Sequence, residues 1–246
     1  MKDVNKIVGI STCKGRLEFI QQSSIAFINA SPDNVKYLLV DYGCPQKTGQ
    51  WIKNNLPSSK AFTLELNPSN NIFHKTIALN SGAKYAINNL GAEYLLFFDA
   101  DTIIKPGLIE QITSLLEEDK CFIFVDTNEE NKDLTGFLVV HKKLFRESGG
   151  YEESFRDWGA EDLEFRLRLY AKHKRPFKLI TGEFLDSIPH DDSLRTQFYS
   201  EKNSDLSNER NYKRMRKMFA LYRIGEDIKM PQNMEDRLLI EKLVVY

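Results

Sequence analysis

With 246 residues, 41% of them apolar and 28% charged, the chain has the balance of an ordinary soluble protein and enough length for one large α/β domain or two small ones. The net charge of -1 leaves no whole-molecule field that would draw it to nucleic acid, so no nucleic-acid partner is expected. Three scattered cysteines, Cys13, Cys44 and Cys121, with no CxxC pair, argue against a disulfide framework or a cysteine-based zinc site and for a reducing compartment.

The opening stretch MKDVNKIVGIST lacks the apolar run of a signal peptide, and Lys6 to Ile10 reads as a strand ending at Ser11-Thr12. Leu17, Ile20, Ser24, Phe27 and Ile28 fall at helical spacing before Pro32 stops the helix. Val35 to Val40 is a second strand, ending at Asp41; Trp51 to Asn55 is a short helix, and Ala61 to Leu66 alternates as a third strand. Thr76 to Leu90 is a helix closed by Gly91. Tyr94 to Phe98 (YLLFF) is uninterruptedly apolar, as suits a strand buried on both faces. Up to Asp101 the order is therefore βαβαβαβ, which predicts a mostly parallel sheet with helices on both sides.

Beyond Asp101 the pattern changes. A helix is expected from Pro106 to Glu118, then strands at Cys121 to Val125 and Gly136 to Val140, a charged helix after Trp158-Gly159-Ala160-Glu161-Asp162, and a last strand at Pro176 to Ile180. Within the charged helix, Glu164 and Arg168 read as a surface i,i+4 pair, with Leu163, Leu167 and Tyr170 as the buried stripe. No run approaches the roughly 20 apolar residues that span a bilayer, so the expected location is the cytoplasm.

In parallel sheets of this kind ligands bind beyond the carboxyl ends of the strands. Ser11-Thr12, Asp41 and Asp99-Ala100-Asp101 all follow strand ends. Residues i and i+2 of an extended segment point the same way, so Asp99 and Asp101 would present two carboxylates to one site. Hard divalent cations favour such oxygen ligands and complete their shell with substrate phosphates. A solvated turn before Pro106-Gly107 would look the same. So would the first motif of a haloacid-dehalogenase-type phosphatase, with Asp99 as nucleophile, Asp101 as general acid and Asp191-Asp192 imitating the later acidic motif. That motif, however, usually opens its fold, whereas here a long βα pattern precedes it.

Two blocks flank the Asp-Ala-Asp motif. Phe73 to Ala83 (FHKTIALNSGA) resembles a segment of beta-1,4-galactosyltransferases that precedes their Asp-x-Asp strand. Gly136 to Leu169, with Gly150-Tyr151 and then Trp158-Gly159-Ala160-Glu161-Asp162, resembles their next block, which reads Trp-Gly-Gly-Glu-Asp before a helix. Related blocks occur in bacterial chondroitin-type polymerases and in polypeptide N-acetylgalactosaminyltransferases. The resemblance covers about residues 5 to 192 and implies the GT-A fold, a doubly covered α/β sheet, with Mn2+ (or Mg2+) and a UDP-sugar donor. The chain would then divide into a nucleotide-sugar half (1–101), an acceptor half (102–205) and a basic helical extension (206–246).

The resemblance also implies roles. Thr12 and Arg16 would contact the nucleotide, Asp41 the uracil base, Lys75 the diphosphate in place of an arginine, and Asn80 belongs to the same donor-side block. Asp101 would bind the metal with Asp99 nearer the donor ribose, and His190 of Ile188-Pro189-His190 would complete the metal ligands. Trp158 and Gly159 would floor the acceptor pocket, Glu161 bind acceptor hydroxyls, and Asp162 act as the general base of an inverting transfer to a glycan or lipid-linked glycan. Chemistry supports a carboxylate there, since such a transfer needs one base within reach of the attacking hydroxyl. Adjacent acids in a first helical turn also arise simply to suit the helix dipole. Two positions depart from the pattern: Ser187 stands where galactosyltransferases carry a methionine ligand, and Asp162 where retaining relatives carry asparagine. A fold of this kind that had lost turnover would be a sugar-binding module.

Residues 208 to 224 place Arg210, Lys213, Arg214, Arg216, Lys217 and Arg223 around Tyr212, Met215, Phe219 and Tyr222 at helical spacing. This reads as an amphipathic helix packed on the domain. Its basic face also suits peripheral contact with an anionic membrane surface.

Overall fold

The computed structural model describes residues 6–116, 122–126, 132–173 and 177–222. Its elements are, in order, β1 (Ile7–Cys13), α1 (Leu17–Ala30), β2 (Lys36–Tyr42), α2 (Thr48–Asn55), β3 (Ala61–Leu66), α3 (Lys75–Asn89), β4 (Tyr94–Phe97), β5 (Thr102–Ile104), α4 (Leu108–Leu115), β6 (Phe122–Val125), β7 (Leu138–His141), α5 (Lys142–Ser148), α6 (Glu161–His173), β8 (Lys178–Ile180), β9 (Leu185–Ser187), α7 (Asp192–Thr196) and α8 (Ser204–Tyr222).

Apolar residues at consecutive positions of a strand point to opposite faces, so an all-apolar strand needs cover on both. Ile7, Leu39, Leu96 and Ile123 enter one core with Ile20 and Phe27 of α1, Ile52 of α2 and Ile109 and Ile112 of α4. Their neighbours Val8, Leu38, Phe97 and Phe124 enter the other, with Ala78 and Ala83 of α3, Phe145 of α5 and Phe165 and Leu169 of α6. The seven-stranded sheet between these layers has the order β3-β2-β1-β4-β7-β6-β8. β7 is antiparallel to β4 and β6, while the other pairings are parallel. The expected α/β sheet is present.

β1, β2 and β3 step outward in one direction, and β4 then returns to the other side of β1. This reversal opens a crevice at the carboxyl ends of β1 and β4, the position where ligands bind in such sheets. A separate antiparallel pair, β5 with β9, crosses near that end and aligns Thr102 with Ser187.

Three differences from the expected elements have physical causes. β5, β9, α7 and the seven-residue α5 were not expected and are too short to show a clear period. Glu164 and Arg168 are buried, because this face of α6 meets the end of α5; Arg168 bonds Glu164 at both Nε and Nη2 and donates to the carbonyls of Ser148 and Gly150. The buried stripe of α6 accordingly runs through Phe165 and Leu169 toward the sheet, with Leu167 toward α8 and Leu163 and Tyr170 only half-buried. α8 begins at Ser204 and packs through Tyr212, Met215 and Met218 on Phe155 and Leu167, leaving Lys213, Arg214 and Lys217 exposed. Cys121 and Arg223 fall outside the described residues, as do the side chains of Phe219 and Tyr222. No described helix is long and apolar enough to cross a membrane.

α3 reaches the sheet this closely because Gly82 has no side chain: a Cβ there would lie 2.7 Å from Val40 Cγ2 and 2.9 Å from Ile10 Cγ2. Gly82→Val should therefore lower stability by about 1–3 kcal/mol through overpacking. Urea denaturation of the two proteins measures this, and an unchanged midpoint would contradict the close packing.

Candidate active site

The crevice collects residues from six segments. Thr12 ends β1, Arg16 precedes α1, Lys75 starts α3, Asp99 to Asp101 follow β4, Glu161 and Asp162 start α6, and His190 follows β9. At its centre is the ammonium of Lys75, whose side chain is 13% exposed. It lies 2.9 Å from Asp99 Oδ1, 3.2 Å from Glu161 Oε1 and 2.8 Å from Asp162 Oδ2. One cation thus joins the β4 motif to the α6 motif, with Asp162 lying 87 residues beyond Lys75.

Three carboxylates around one ammonium leave an excess of negative charge. Burial alone would lower the Lys75 pKa, but Asp162, Asp99 and Glu161 together hold it well above its usual value. The shortfall falls on Asp162. Burial pushes its pKa up to about 7, Glu161 and Asp99 add to the rise, and Lys75 opposes it. Asp162 Oδ2 is anchored by Lys75, while Oδ1 is buried with no hydrogen-bond partner.

Asp99 occupies space that any side chain at residue 136 would fill. A Cβ on Gly136 would fall 2.1 Å from Asp99 Oδ2. Gly136 is thus a site residue that carries no functional group. A glycine just before an apolar strand was its only signal.

Asp101 sits in a second cluster. His190 Nε2 lies 2.6 Å from Asp101 Oδ2, and Arg16 Nη1 lies 3.3 Å from the same oxygen. The 89-residue separation is bridged by the β5–β9 ladder and by Ile188 N–H, which donates to the Asp101 carbonyl at 2.8 Å. Burial pushes the Asp101 pKa up, but the His190 hydrogen bond and the Arg16 charge hold it below its usual range. A divalent cation can be tested against this donor set. Asp101 and His190 converge, whereas Asp99 turns to Lys75, and among the described residues no three His, Cys, Asp or Glu side chains form a cluster able to hold a metal alone. One carboxylate and one imidazole fit a cation that takes its other ligands from a diphosphate and water.

The remaining expected residues divide into those facing the crevice and those building it. Thr12 is buried and pairs with Val40 across β1 and β2. Asp41 accepts from the Cys44 and Gly49 amides at 2.6 and 2.7 Å, so both its oxygens shape the loop after β2. Lys14, absent from the sequence-based candidates, donates to the Tyr42 and Gly43 carbonyls and ties the loops after β1 and β2 together. Cys44 in that loop has its thiol pKa drawn down to about 5, chiefly by a hydrogen bond from Cys13 and against the effect of burial. Asn80 bonds the Tyr151 amide and carbonyl, each at 2.8 Å, so its carboxamide fixes the Gly150-Tyr151 turn. Glu161 accepts from Gly159 N–H through its second oxygen. Trp158 is half-buried with the Arg195 guanidinium 4.7 Å above its ring, a partner the sequence did not point to.

The phosphatase alternative does not survive this geometry. Asp191 caps α7 through the Ser193 and Leu194 amides, and Asp192 bonds Ser204 and Arg195.

Residues 8–178 match the model of glycosyl transferase family 2. The chain belongs to that family. Among solved structures, this transferase is similar to TarS from S. aureus in complex with UDP-GlcNAc, with a TM-score of 0.67 at 12% identity over 91% of this chain and 68% of that one. It is also similar to GalNAc-T7 with UDP, GalNAc and Mn2+, at a TM-score of 0.65 and 12% identity over 88% of this chain and 48% of the other. A third likeness is to the mannosyltransferase PcManGT from Pyrobaculum calidifontis with GDP-Man and Mn2+, at a TM-score of 0.56 and 12% identity over 98% and 81% of the two chains. At such identities the likeness establishes the GT-A fold. No curated protein matches the sequence.

The Lys75 cluster makes a sharp prediction for the transferase. Lys75→Met should destabilise it by about 3–5 kcal/mol at pH 8, because breaking a buried ion pair strands its partners. Without the ammonium the carboxylates are protonated more readily in the native state than in the unfolded chain. The loss should therefore shrink as pH falls toward the ordinary carboxylate range and grow as pH rises. Denaturant melts at pH 5 and pH 8 check this; an equal loss at both would refute the charge argument.

Proposed function

We propose that this family 2 transferase moves a hexose or N-acetylhexosamine from a UDP-sugar to a glycan hydroxyl with inversion, and that Asp162 is the general base. Galactose and N-acetylgalactosamine are the favoured sugars. The observation that carries the proposal is the asymmetry of Asp162, with one oxygen fixed by Lys75 and the other unpartnered inside the crevice. A base must be held rigidly and still keep a lone pair for the incoming proton. A pKa near 7 also suits a group that must first accept that proton and then release it.

The residues around it have consistent parts. Trp158 offers an apolar face to a sugar ring, and Glu161, fixed by Gly159 N–H and Lys75, offers its carboxylate to acceptor hydroxyls. Arg16 places positive charge where a diphosphate would lie at the β1–β4 crevice. Asp101 and His190 would hold the divalent cation, which when bound would offset the charge growing on the leaving diphosphate. The UDP named for TarS and GalNAc-T7 supports the UDP donor, and the Mn2+ named for GalNAc-T7 and PcManGT supports the cation, although PcManGT carries GDP-Man. The resemblance to galactosyltransferases supports the sugar, and Asp162 in place of asparagine supports inversion. A non-catalytic sugar-binding module would show the same binding with no turnover.

Titration with UDP should show binding that strengthens when Mn2+ is added. Calorimetry that finds no UDP binding with the cation present would overturn the donor assignment. Asp162→Asn should keep UDP binding and lose transfer by at least about 100-fold, and transfer that survives would remove Asp162 from its role. In the wild type, kcat/KM should fall as pH drops through about 7, because the base must be ionised. The same raised pKa makes ionised Asp162 a cost to the folded state as pH rises through 7, so Asp162→Asn should lose less stability with rising pH than the wild type.

A further inference from the structure

The turn that delivers Trp158, Glu161 and Asp162 to the crevice has an unfavourable backbone. Asp157 and Ala160 have φ of 63° and 66°, and Gly159 has φ of 109°. L-residues rarely adopt the left-handed region, so two of them in one short turn persist only where surrounding groups over-determine it. The parallel sheet does not supply those groups. They come from the segment that follows β9 and α7.

Asp157 is buried, and its Oδ1 accepts from Ser200 N–H and Ser200 Oγ, each at 2.7 Å, and from Glu201 N–H at 3.2 Å; Oδ2 is paired with Arg210 at 2.7 Å. The Trp158 carbonyl accepts from Ser207 Oγ at 2.7 Å and Asn211 Nδ2 at 3.2 Å, and Asn211 Nδ2 also reaches the Arg156 carbonyl at 2.9 Å. Ser207 is fully buried and Asn211 is 2% exposed, so water cannot replace these donors. α8 also packs against Gly159 so closely that a Cβ there would lie 2.3 Å from Asn208 Oδ1. Beneath the turn, Met215 locks α8 onto Phe155 and Leu167. All of these holding groups on α8 and before it lie beyond residue 178, where the match to the family model ends.

We propose that Ser207 and Asn211 are positioning residues of the transfer reaction: α8 holds the 157–160 turn in its left-handed form and thereby sets Trp158 as the acceptor platform and aims Asp162 at the attacking hydroxyl. This rests on the acceptor and base roles given above. Ser207 and Asn211 bond the carbonyls of Arg156 and Trp158, on the acceptor side of the crevice, whereas the nucleotide side is built from β1, β4 and α3. Loss of the clamp therefore affects the acceptor step and spares the donor.

The test is Ser207→Ala combined with Asn211→Leu in the full chain, which removes both donors at nearly constant volume. The expected result is a fall of between about 10- and 100-fold in kcat/KM for the acceptor, the scale set by misplacement of a reacting group by about 1 Å. Mn2+-dependent UDP affinity should stay within about twofold of wild type, since the donor contacts are elsewhere. Hydrogen exchange followed by mass spectrometry should show faster exchange at 157–160 with unchanged protection in β1 and β4. Wild-type transfer in the variant, or exchange at 157–160 that does not change, would overturn the clamp. A parallel loss of UDP affinity would also overturn it, because the segment would then be supporting the fold in general. If the wild type itself neither binds UDP nor transfers sugar, the functional reading fails, while the exchange measurement still decides whether α8 holds the turn.

Discussion

A single buried ammonium determines how the two halves of this site relate. Lys75 is 2.8–3.2 Å from Asp99, Glu161 and Asp162, which come from two separate segments of the chain. A cation in that position can neither be desolvated without partners nor shared among three carboxylates without leaving one short. The first constraint makes the cluster close. Burial raises the proton affinity of Asp162, and the second constraint adds to that rise through Glu161 and Asp99. A lysine suits this better than a planar guanidinium would, because a compact point charge with three donors can address three carboxylates in different directions.

Asp101 shows the complementary solution. It has two cationic neighbours and no carboxylate competitor, and its proton affinity is lowered. Two aspartates one residue apart therefore have opposite surroundings, one facing an over-subscribed lysine and the other an imidazole and a guanidinium. Different partners are how proteins assign neighbouring acids different work.

Much of the sheet was legible in the sequence because its strands are apolar on both faces. Ala61–Leu66 is found where expected, and YLLFF forms the strand that precedes the acidic motif. The missed elements carry little periodic information: β5 and β9 have three residues each, too few to display alternation. The burial of Glu164 and Arg168 was hidden for another reason. Charge spacing on a helix looks the same whether the pair is solvated or covered by another segment, and here the end of α5 and the Gly149-Gly150 turn meet Arg168. Among the site residues, the order of the blocks on either side of Asp99 pointed to Lys75 and Asp162. The sequence pointed to Gly136 only as a glycine before an apolar strand, since its contribution is an absence of atoms beside Asp99.

The β5–β9 ladder has a consequence for how the molecule comes into being. The strands that hold Thr12, Asp41 and Asp99 are complete once the chain has passed β4, and they need only neighbouring crossovers to assemble. Asp101 must wait for His190, a further 89 residues along, and for the two three-residue strands that bring them together. Contacts this distant in sequence form late and carry a large loop-closure penalty. During synthesis, the half of the crevice that recognises a nucleotide can therefore exist before the half that would retain a cation. A nascent chain would then have the strands of the nucleotide side in place before the Asp101–His190 pair closes.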